Sequence, residues 1–351
     1  MPNPSSIYES LEDKKMNGKR WAALGIAAVV FVFSIITNVV TSFAFKDVET
    51  SFTDLLASTS DVFTKEVIEA GSETKKIAVL DVNGVIQDTG GAASIFQTEG
   101  YNHQAFMKML NQVKEDSTVK AVVIKVNTPG GGVVESAQIH DKIKEIQSEA
   151  KKPVYISMGA MAASGGYYIS APADKIYASP ETLTGSLGVI MQSINYAGLA
   201  EKYGVDFVTI KSGPYKDIMS PTREMTEDER KILQSMIDSS YAGFVNIISE
   251  GRNIPEAKVK EIADGRVYDG RQAKELNLID GFGYTEDVIE ELKKDHKLEG
   301  AKVVKYTESF GFGSMFKMGA EKFIGPDAEM ASLMKLLSQP NSPRLMYLYA
   351  E

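Results

Sequence analysis

One serine of this chain stands in a setting that suits nucleophilic chemistry. Ser164 lies in the stretch MAASGGYYIS, residues 161–170, after small apolar residues and before two glycines. A nucleophilic serine favours such a strand-to-helix turn, because its hydroxyl and the adjacent backbone N–H groups are then accessible. The stretch lacks the G-x-S-x-G pattern, and small residues also let two backbone segments pack closely. Ser164 is therefore a candidate nucleophile whose assignment depends on a base.

Histidine is the commonest base for such a serine, and the chain has three histidines. His103, His140 and His296 all lie in polar or charged helical stretches, and we expect His140, beside Asp141, at the surface. A Ser-His-Asp triad is compatible with this composition, but no motif supports it.

A lysine is the other possible base. Lys211 and Lys216 lie in IKSGPYKDIMSPTREMT, residues 210–226, directly after a strand expected at Asp206–Ile210. An amine with a lowered pKa can accept the serine proton. Neighbouring exposed lysines are more often simply solvated, so their spacing alone leaves the base open.

A glycine-rich turn precedes the serine in the chain. NTPGGG, Asn127 to Gly132, is expected at the carboxyl end of a strand and just before a helix. Consecutive glycines leave backbone N–H groups open to a cleft with no Cβ in the way, which is how an oxyanion is held. No lysine or serine follows at phosphate-loop spacing, which argues against a nucleotide site. The turn either binds an oxyanion or is a plain turn without a ligand.

The elements that must position these turns alternate between strand and helix. Strands rich in β-branched residues are expected at Lys76–Ile86, Val119–Asn127 and Pro153–Gly159, and helices at Gln104–Lys114 and Val134–Ala150. This order predicts an α/β fold in which parallel strands are joined by helices that cover the sheet. In such folds chemistry gathers where strands end and glycine-rich turns lead into helices, and both turns fit that description.

A long amphipathic helix is expected after the lysine segment. Thr226 and Glu229 form a capping box, and apolar residues recur at helical spacing from Leu233 to Ile248. This stripe is either core or subunit interface.

Composition excludes several classes of function. The 351 residues are 43% hydrophobic, enough for a substantial core, and carry a formal net charge of -9. Nucleic-acid grooves need concentrated positive charge, so we expect no nucleic-acid partner. The chain has no cysteine, which rules out disulfides, a thiolate nucleophile and a cysteine-bound metal.

The N-terminal region predicts a membrane anchor. Residues 21–45 contain no ionisable side chain and would form a helix about 37 Å long, enough to span a bilayer. A cleavable signal peptide is the alternative, with Ser42 and Ala44 at its cleavage site, but its apolar region is normally shorter. Preceding basic residues keep the N-terminus, residues 1–20, cytoplasmic. We expect a single-pass cell-membrane protein with a stalk at 46–75, weakly helical in pattern, and an extracytoplasmic catalytic domain.

Three blocks resemble the signal peptide peptidases of the SppA type, in the short form with one catalytic domain. The blocks are NTPGGGVVESAQIHDKI (127–143), MGAMAASGGYYISAPADKIYASPETLTGSLGVI (158–190) and IKSGPYKDIMSP (210–221). With GRVYDGRQAKELNLIDGFG (265–283) the resemblance covers residues 76–300 and leaves 301–351 as a C-terminal extension and tail. These proteins are membrane-anchored Ser-Lys proteases related to the Clp and crotonase folds. The resemblance therefore implies a Clp/crotonase-like α/β fold of repeated β-β-α and βαβ units with a glycine-turn oxyanion site, preceded by one transmembrane helix.

The resemblance also implies the catalytic pair. Ser164 matches the nucleophile, and Lys216, not Lys211, matches the general base. Ser186, in TGSLGV, matches the hydroxyl that steadies the lysine amine. The serine and lysine of such a dyad come from neighbouring protomers, so a homo-oligomer with shared active sites is expected.

The implied oxyanion donors are the backbone N–H groups of Gly131 and, second, Gly165. No metal or cofactor is implied. The implied substrates are remnant signal peptides in the membrane; a crotonase-type acyl-CoA enzyme and a non-catalytic membrane scaffold are the alternatives. The apolar tail PNSPRLMYLYAE, residues 340–351, either caps the fold or enters the active-site groove as an inhibitor.

Overall fold

The computed structural model of the chain describes residues 30–31, 63–88, 100–308 and 345–349. Contacts divide the chain into residues 1–61 and 62–351, and the fold below is that of the second unit. Within the described residues no helix is both long and apolar enough for a membrane span. The predicted anchor lies outside them, apart from residues 30 and 31.

A mixed sheet forms the centre of the second unit. Its main path, in spatial order, is β1 (Phe63–Glu69), β10 (Ala301–Glu308), β2 (Ser72–Asn83), β3 (Val119–Thr128), β5 (Val154–Ala163), β6 (Lys175–Ala178) and β9 (Gly281–Phe282). Neighbours from β10 to β9 are parallel, whereas β1 is antiparallel to β10. Two short strands, β7 (Leu183–Gly185) and β8 (Val267–Tyr268), extend from the end of β5.

Helices cover both faces of this sheet. They are α1 (His103–Glu115), α2 (Val133–Ser148), α3 (Gly165–Ser170), α4 (Ala197–Lys202), α5 (Glu227–Arg252), α6 (Glu256–Ile262), α7 (Gly270–Glu275) and α8 (Thr285–His296). The larger core joins one sheet face to α1, α2, α3 and α5, and a second core joins the other face to α8. Because both faces are covered, the central strands are nearly continuous runs of buried apolar residues.

The expected α/β architecture is therefore confirmed, with parallel strands and crossover helices as the pattern predicts. The sheet also recruits β1 and β10, which lie beyond the interval 76–300 that carries the resemblance. The weak helical patterning before residue 70 is misleading, because Phe63–Glu69 is a strand on the edge of the sheet. Its pairing with β10 determines that conformation, and local pattern does not report it.

The strand expected at Asp206–Ile210 is wrong. These residues form no ladder and are exposed, with Ile210 at 97%. They belong to residues 191–222, which we call the arm. Among the described residues the arm lacks a neighbouring strand, so its β-branched residues have no ladder to join. Its base is closed by the N–H of Tyr196, which donates to the Pro221 carbonyl at 2.8 Å.

Apolar side chains of the arm and of early α5 are exposed. Arm residues with at least half of their surface exposed are Ile194, Leu199, Tyr203, Val205, Val208 and Ile210. In α5, Phe244, Val245 and Ile248 are buried in the core, whereas Ile232 and Met236 are exposed. The apolar stripe of α5 was expected to be either core or subunit interface. Its second half is core, whereas its first half is uncovered within one chain.

Candidate active site

Ser164 stands where β5 ends and α3 begins, as the sequence predicts. Its backbone has φ 53° and ψ -112°, and its N–H donates to the Gly185 carbonyl at 2.8 Å. A non-glycine residue at positive φ is strained, and such strain gathers at functional sites. The side chain is 1% exposed, and no described atom hydrogen-bonds to its Oγ. A buried hydroxyl without a partner is costly in a purely structural role.

The glycine turn lies directly beside this serine. Gly130–Gly132 form β4, and the N–H of Gly132 donates to the Ile86 carbonyl at 2.8 Å. A Cβ at Gly131 would overlap that carbonyl, and one at Gly165 would lie 3.0 Å from the Gly131 nitrogen. Glycine is therefore required at both positions by close backbone approach. The structure brings the two predicted oxyanion donors together.

Ser186 lies next to the same site. It follows Gly185, whose carbonyl binds the Ser164 N–H, and its own N–H donates to the Arg266 carbonyl at 2.7 Å. Its φ of 50° is again in the left-handed region, and the residue is 7% exposed. Ser164 and Ser186, both at positive φ, therefore lie next to the same backbone hydrogen bond, which joins the Ser164 N–H to the Gly185 carbonyl.

The two candidate lysines differ in their surroundings. The Lys211 ammonium donates to Asp217 Oδ1 at 2.6 Å and to the Pro214 carbonyl at 3.2 Å. Lys216 is exposed and has no ion pair with any described residue. It also does not hydrogen-bond to Ser164 Oγ within the chain. In a single protomer the structure therefore does not pair Lys216, which is exposed, with the buried serine.

None of the three histidines offers an alternative base in contact with Ser164. His140 is not a surface residue as expected: its side chain is 15% exposed, and its ring packs edge-on against Tyr168 at 5.6 Å. His103 is held between other polar side chains, and His296 lies against the opposite face of the sheet. None of them hydrogen-bonds to Ser164 Oγ.

The C-terminal tail occupies the cleft. Strand β11 (Met346–Leu348) pairs antiparallel with β4, with Tyr347 opposite Gly131. On its other edge Met346 exchanges two backbone hydrogen bonds of 3.0 Å with Ile190. Tyr349 donates to the Pro129 carbonyl at 2.8 Å, so alternation along the ladder places Tyr347 and Gly131 in the hydrogen-bonded register. An extended peptide thus lies across the glycine turn with the Tyr347 carbonyl beside the N–H of Gly131, one of the two predicted oxyanion donors.

The side chain of Tyr347 fills an aromatic pocket that sequence reasoning did not identify. Its ring stacks on Tyr168 at 4.6 Å between centroids and lies 4.7 Å from Phe244. Its hydroxyl donates to the Ser240 carbonyl at 3.3 Å, and burial raises the pKa of this phenol. Since α3 and α5 meet only in the folded chain, no local motif could have revealed this pocket.

Sequence reasoning also missed Ser136. It is fully buried on α2, its Oγ has no described partner, and that atom would lie 2.9 Å from a Cβ at Gly165. One signal was available: Ser136, Ile139 and Ile143 share the inward face of a helix, where a hydroxyl is unusual.

Comparison with known proteins gives consistent matches. Residues 146–299 match Peptidase family S49 and residues 92–184 match Clp protease. A protein assigned as signal peptide peptidase SppA in Enterococcus faecium is 42% identical over 347 residues, 95% of this chain and 99% of that protein. A protein assigned as a protease in Synechocystis sp. is 43% identical over 216 residues, 62% of this chain and 73% of that protein. Protease 4 of Haemophilus influenzae is 32% identical over 294 residues, 78% of this chain and 46% of that protein.

Proposed function

The chain belongs to peptidase family S49 and is a serine protease, and from this premise we propose that it is a membrane-anchored endopeptidase that degrades remnant signal peptides with a Ser164–Lys216 dyad. One observation carries the proposal: Ser164 has a strained backbone and a buried hydroxyl without a partner among the described residues, next to the glycine turn and a docked peptide strand.

The proposed reaction follows from this geometry. Ser164 Oγ attacks a peptide carbonyl while its proton passes to the neutral amine of Lys216. The N–H groups of Gly131 and Gly165 stabilise the oxyanion of the tetrahedral intermediate. Lys216 then gives the proton to the leaving amine, and a water molecule, deprotonated by the same lysine, hydrolyses the acyl-enzyme.

We propose that Lys216 reaches the serine of a neighbouring protomer. It is exposed on an arm whose apolar residues are uncovered in the single chain, and a second copy of the chain would bury both. Burial would also supply the chemistry, because desolvation disfavours the ammonium and favours the neutral amine that can accept a proton. Ser186, beside Ser164, would accept or donate a hydrogen bond that orients the amine.

The docked tail supports an extended, apolar substrate. It lies between two backbone segments in the manner of a bound peptide and buries an aromatic side chain. The apolar region of a signal peptide has matching chemistry, and an anchor at residues 21–45 would hold the site near the membrane that contains it. A docked peptide and membership in a peptidase family argue against an acyl-CoA enzyme and a non-catalytic scaffold.

Mixing inactive variants tests the dyad and its division between protomers. Ser164→Ala and Lys216→Ala should each abolish hydrolysis of a fluorogenic apolar peptide, whereas Lys202→Ala, on the same arm, should not. In mixed oligomers verified by native mass spectrometry, random assembly pairs an intact serine with an intact lysine at about a quarter of the sites. Recovery of about that fraction of wild-type activity is expected. Absence of recovery would overturn the shared site.

A further inference from the structure

The residue after the proposed base is held by an arginine clamp. Arg223 Nε donates to Asp217 Oδ2 at 2.8 Å, and its Nη2 donates to Oδ1 at 2.7 Å and to the Asp217 carbonyl at 3.1 Å. Such bidentate arginine–carboxylate pairs combine strength with a defined geometry. The clamp therefore fixes both the side chain and the backbone of the residue bonded to Lys216.

The arginine is itself anchored to a rigid element. A second edge of the Arg223 guanidinium group donates to both carboxylate oxygens of Glu229, through Nη1 at 2.9 Å and through Nη2. Glu229 is 1% exposed and also accepts the Thr226 N–H at 2.9 Å, as part of the capping box of α5. Arg223 thus ties the lysine loop to the first turn of a helix of 26 residues. Its carbonyl also accepts the Asn195 side-chain amide at 2.8 Å, at the base of the arm.

The clamp also controls charge beside the base. The described groups that contact the Asp217 carboxylate are Arg223 and Lys211, which together hold its pKa far below its usual range. Glu229, with its pKa lowered to about 2, balances the arginine. Both carboxylate oxygens are thereby engaged by Arg223 and Lys211, and no described ion pair joins Asp217 to Lys216. If the carboxylate were free, it would attract a proton to the Lys216 amine and favour the ammonium, which cannot act as a base.

We propose that Arg223, locked by Glu229, is the positioning residue of the catalytic lysine: it holds the loop that presents Lys216 and keeps the Asp217 carboxylate from pairing with the amine. This role rests on the proposed Ser164–Lys216 dyad. The proposed role explains why the two lysines have different surroundings. Lys211 binds Asp217 and completes the clamp, whereas Lys216 is left to reach a serine.

Arg223→Gln tests the positioning role in the full-length oligomer. Loss of the clamp should lower kcat for the peptide by about tenfold to a hundredfold, because a small misplacement of a catalytic group costs that much, with KM changed less than about threefold. The acidic limb of the pH profile of kcat/KM should move up by about half to one pH unit, because the Asp217 carboxylate, then held by Lys211 without the arginine, is partly released and stabilises the ammonium nearby. Arg271→Gln, which breaks an exposed pair with Glu181, is the matched control and should change neither.

A double variant separates the electrostatic effect of the Asp217 carboxylate from the loss of loop geometry. In Arg223→Gln/Asp217→Asn the freed carboxylate is gone, so the acidic limb should return to its wild-type position although kcat stays low. Glu229→Gln, which keeps the shape of the anchor, should shift kcat and the limb in the same direction as Arg223→Gln but less. It replaces Arg223→Gln as the deciding variant if that protein fails to fold or assemble.

The outcomes distinguish this inference from the dyad itself. Hydrolysis that survives Lys216→Ala overturns the dyad and the clamp's role together. If Lys216→Ala abolishes hydrolysis while folded Arg223→Gln, or Glu229→Gln in its place, retains wild-type kcat and pH profile, only the positioning role is overturned. A lower kcat with an unmoved limb would overturn the electrostatic part and leave the geometric part supported.

Discussion

Replacing Tyr347 by alanine should release the active-site cleft for external peptides. Tyr347 is 2% exposed and packs against Tyr168 and Phe244, and it is the one fully buried residue among the described tail residues 345–349. Removing about 130 Å² of buried ring surface at about 25 cal/mol/Å² weakens docking of the tail by roughly 3 kcal/mol. That corresponds to a closed-to-open ratio lower by about a hundredfold.

The effect on kinetics follows from competition within the chain. A tethered segment acts at an effective concentration in the millimolar range, so a tail of about 0.1 mM intrinsic affinity raises the apparent KM about tenfold or more. Tyr347→Ala should therefore lower KM for a short peptide by about tenfold and leave kcat within about twofold. Deletion of residues 345–351 should reach the same KM.

Tyr349→Ala is the matched control for this prediction. Tyr349 belongs to the same tail segment and is only half-buried. Its backbone bond to the Pro129 carbonyl survives the substitution, so KM should change less than about threefold. Steady-state kinetics on the intact chain, with its mass checked for loss of the tail, provide the measurement. Unchanged KM in both Tyr347→Ala and the deletion, with hydrolysis still dependent on Ser164, would refute inhibition by the tail.

Three further outcomes are expected. Gly165→Ala should lower kcat by about a hundredfold, measured with the same peptide, because the added Cβ would press on the Gly131 nitrogen at 3.0 Å and displace the proposed oxyanion donor. Lys152→Met should lower the free energy of unfolding in urea by about 2 kcal/mol, because the ammonium, although burial lowers its pKa, satisfies three backbone carbonyls at the end of α1. Hydrogen bonds from Lys114 and Lys142 lower the pKa of Glu145 to about 2. The stability advantage of wild type over Glu145→Gln should therefore be full above about pH 4.5 and vanish as pH falls through about 2. A difference in the free energy of unfolding that persists at pH 2 would contradict this expectation.

Local pattern was sufficient to place the elements around the serine. The strand expected at Val119–Asn127 is observed as Val119–Thr128, and the helix expected at Gln104–Lys114 as His103–Glu115. Buried parallel strands appear as continuous apolar runs and helices as a 3.6-residue period, so both are readable from neighbours in the chain. The order of strand, turn and helix then brought the glycine turn and Ser164 to the same edge of the sheet.

Pattern failed where conformation depends on a partner distant in the chain. The β-branched residues at Asp206–Ile210 have strand propensity but no adjacent strand among the described residues, so they form no strand and are exposed. Phe63–Glu69 shows the converse, since pairing with β10 overrides a weak helical pattern. Intrinsic strand or helix propensity contributes less to the conformation of a segment than a ladder of backbone hydrogen bonds does. Whether such a ladder forms depends on the topology of the sheet.

Residue types and their order along the chain therefore indicated the α/β class and the two turns that carry Ser164 and the glycines, because each is a local arrangement of propensity and sterics. Folding alone created the aromatic pocket of Tyr347, the pairing of the tail with Gly131 and the anchorage of Asp217 through Arg223 to Glu229. Those contacts join separate elements, and their geometry depends on how helices and strands pack, which no spacing along a single segment encodes.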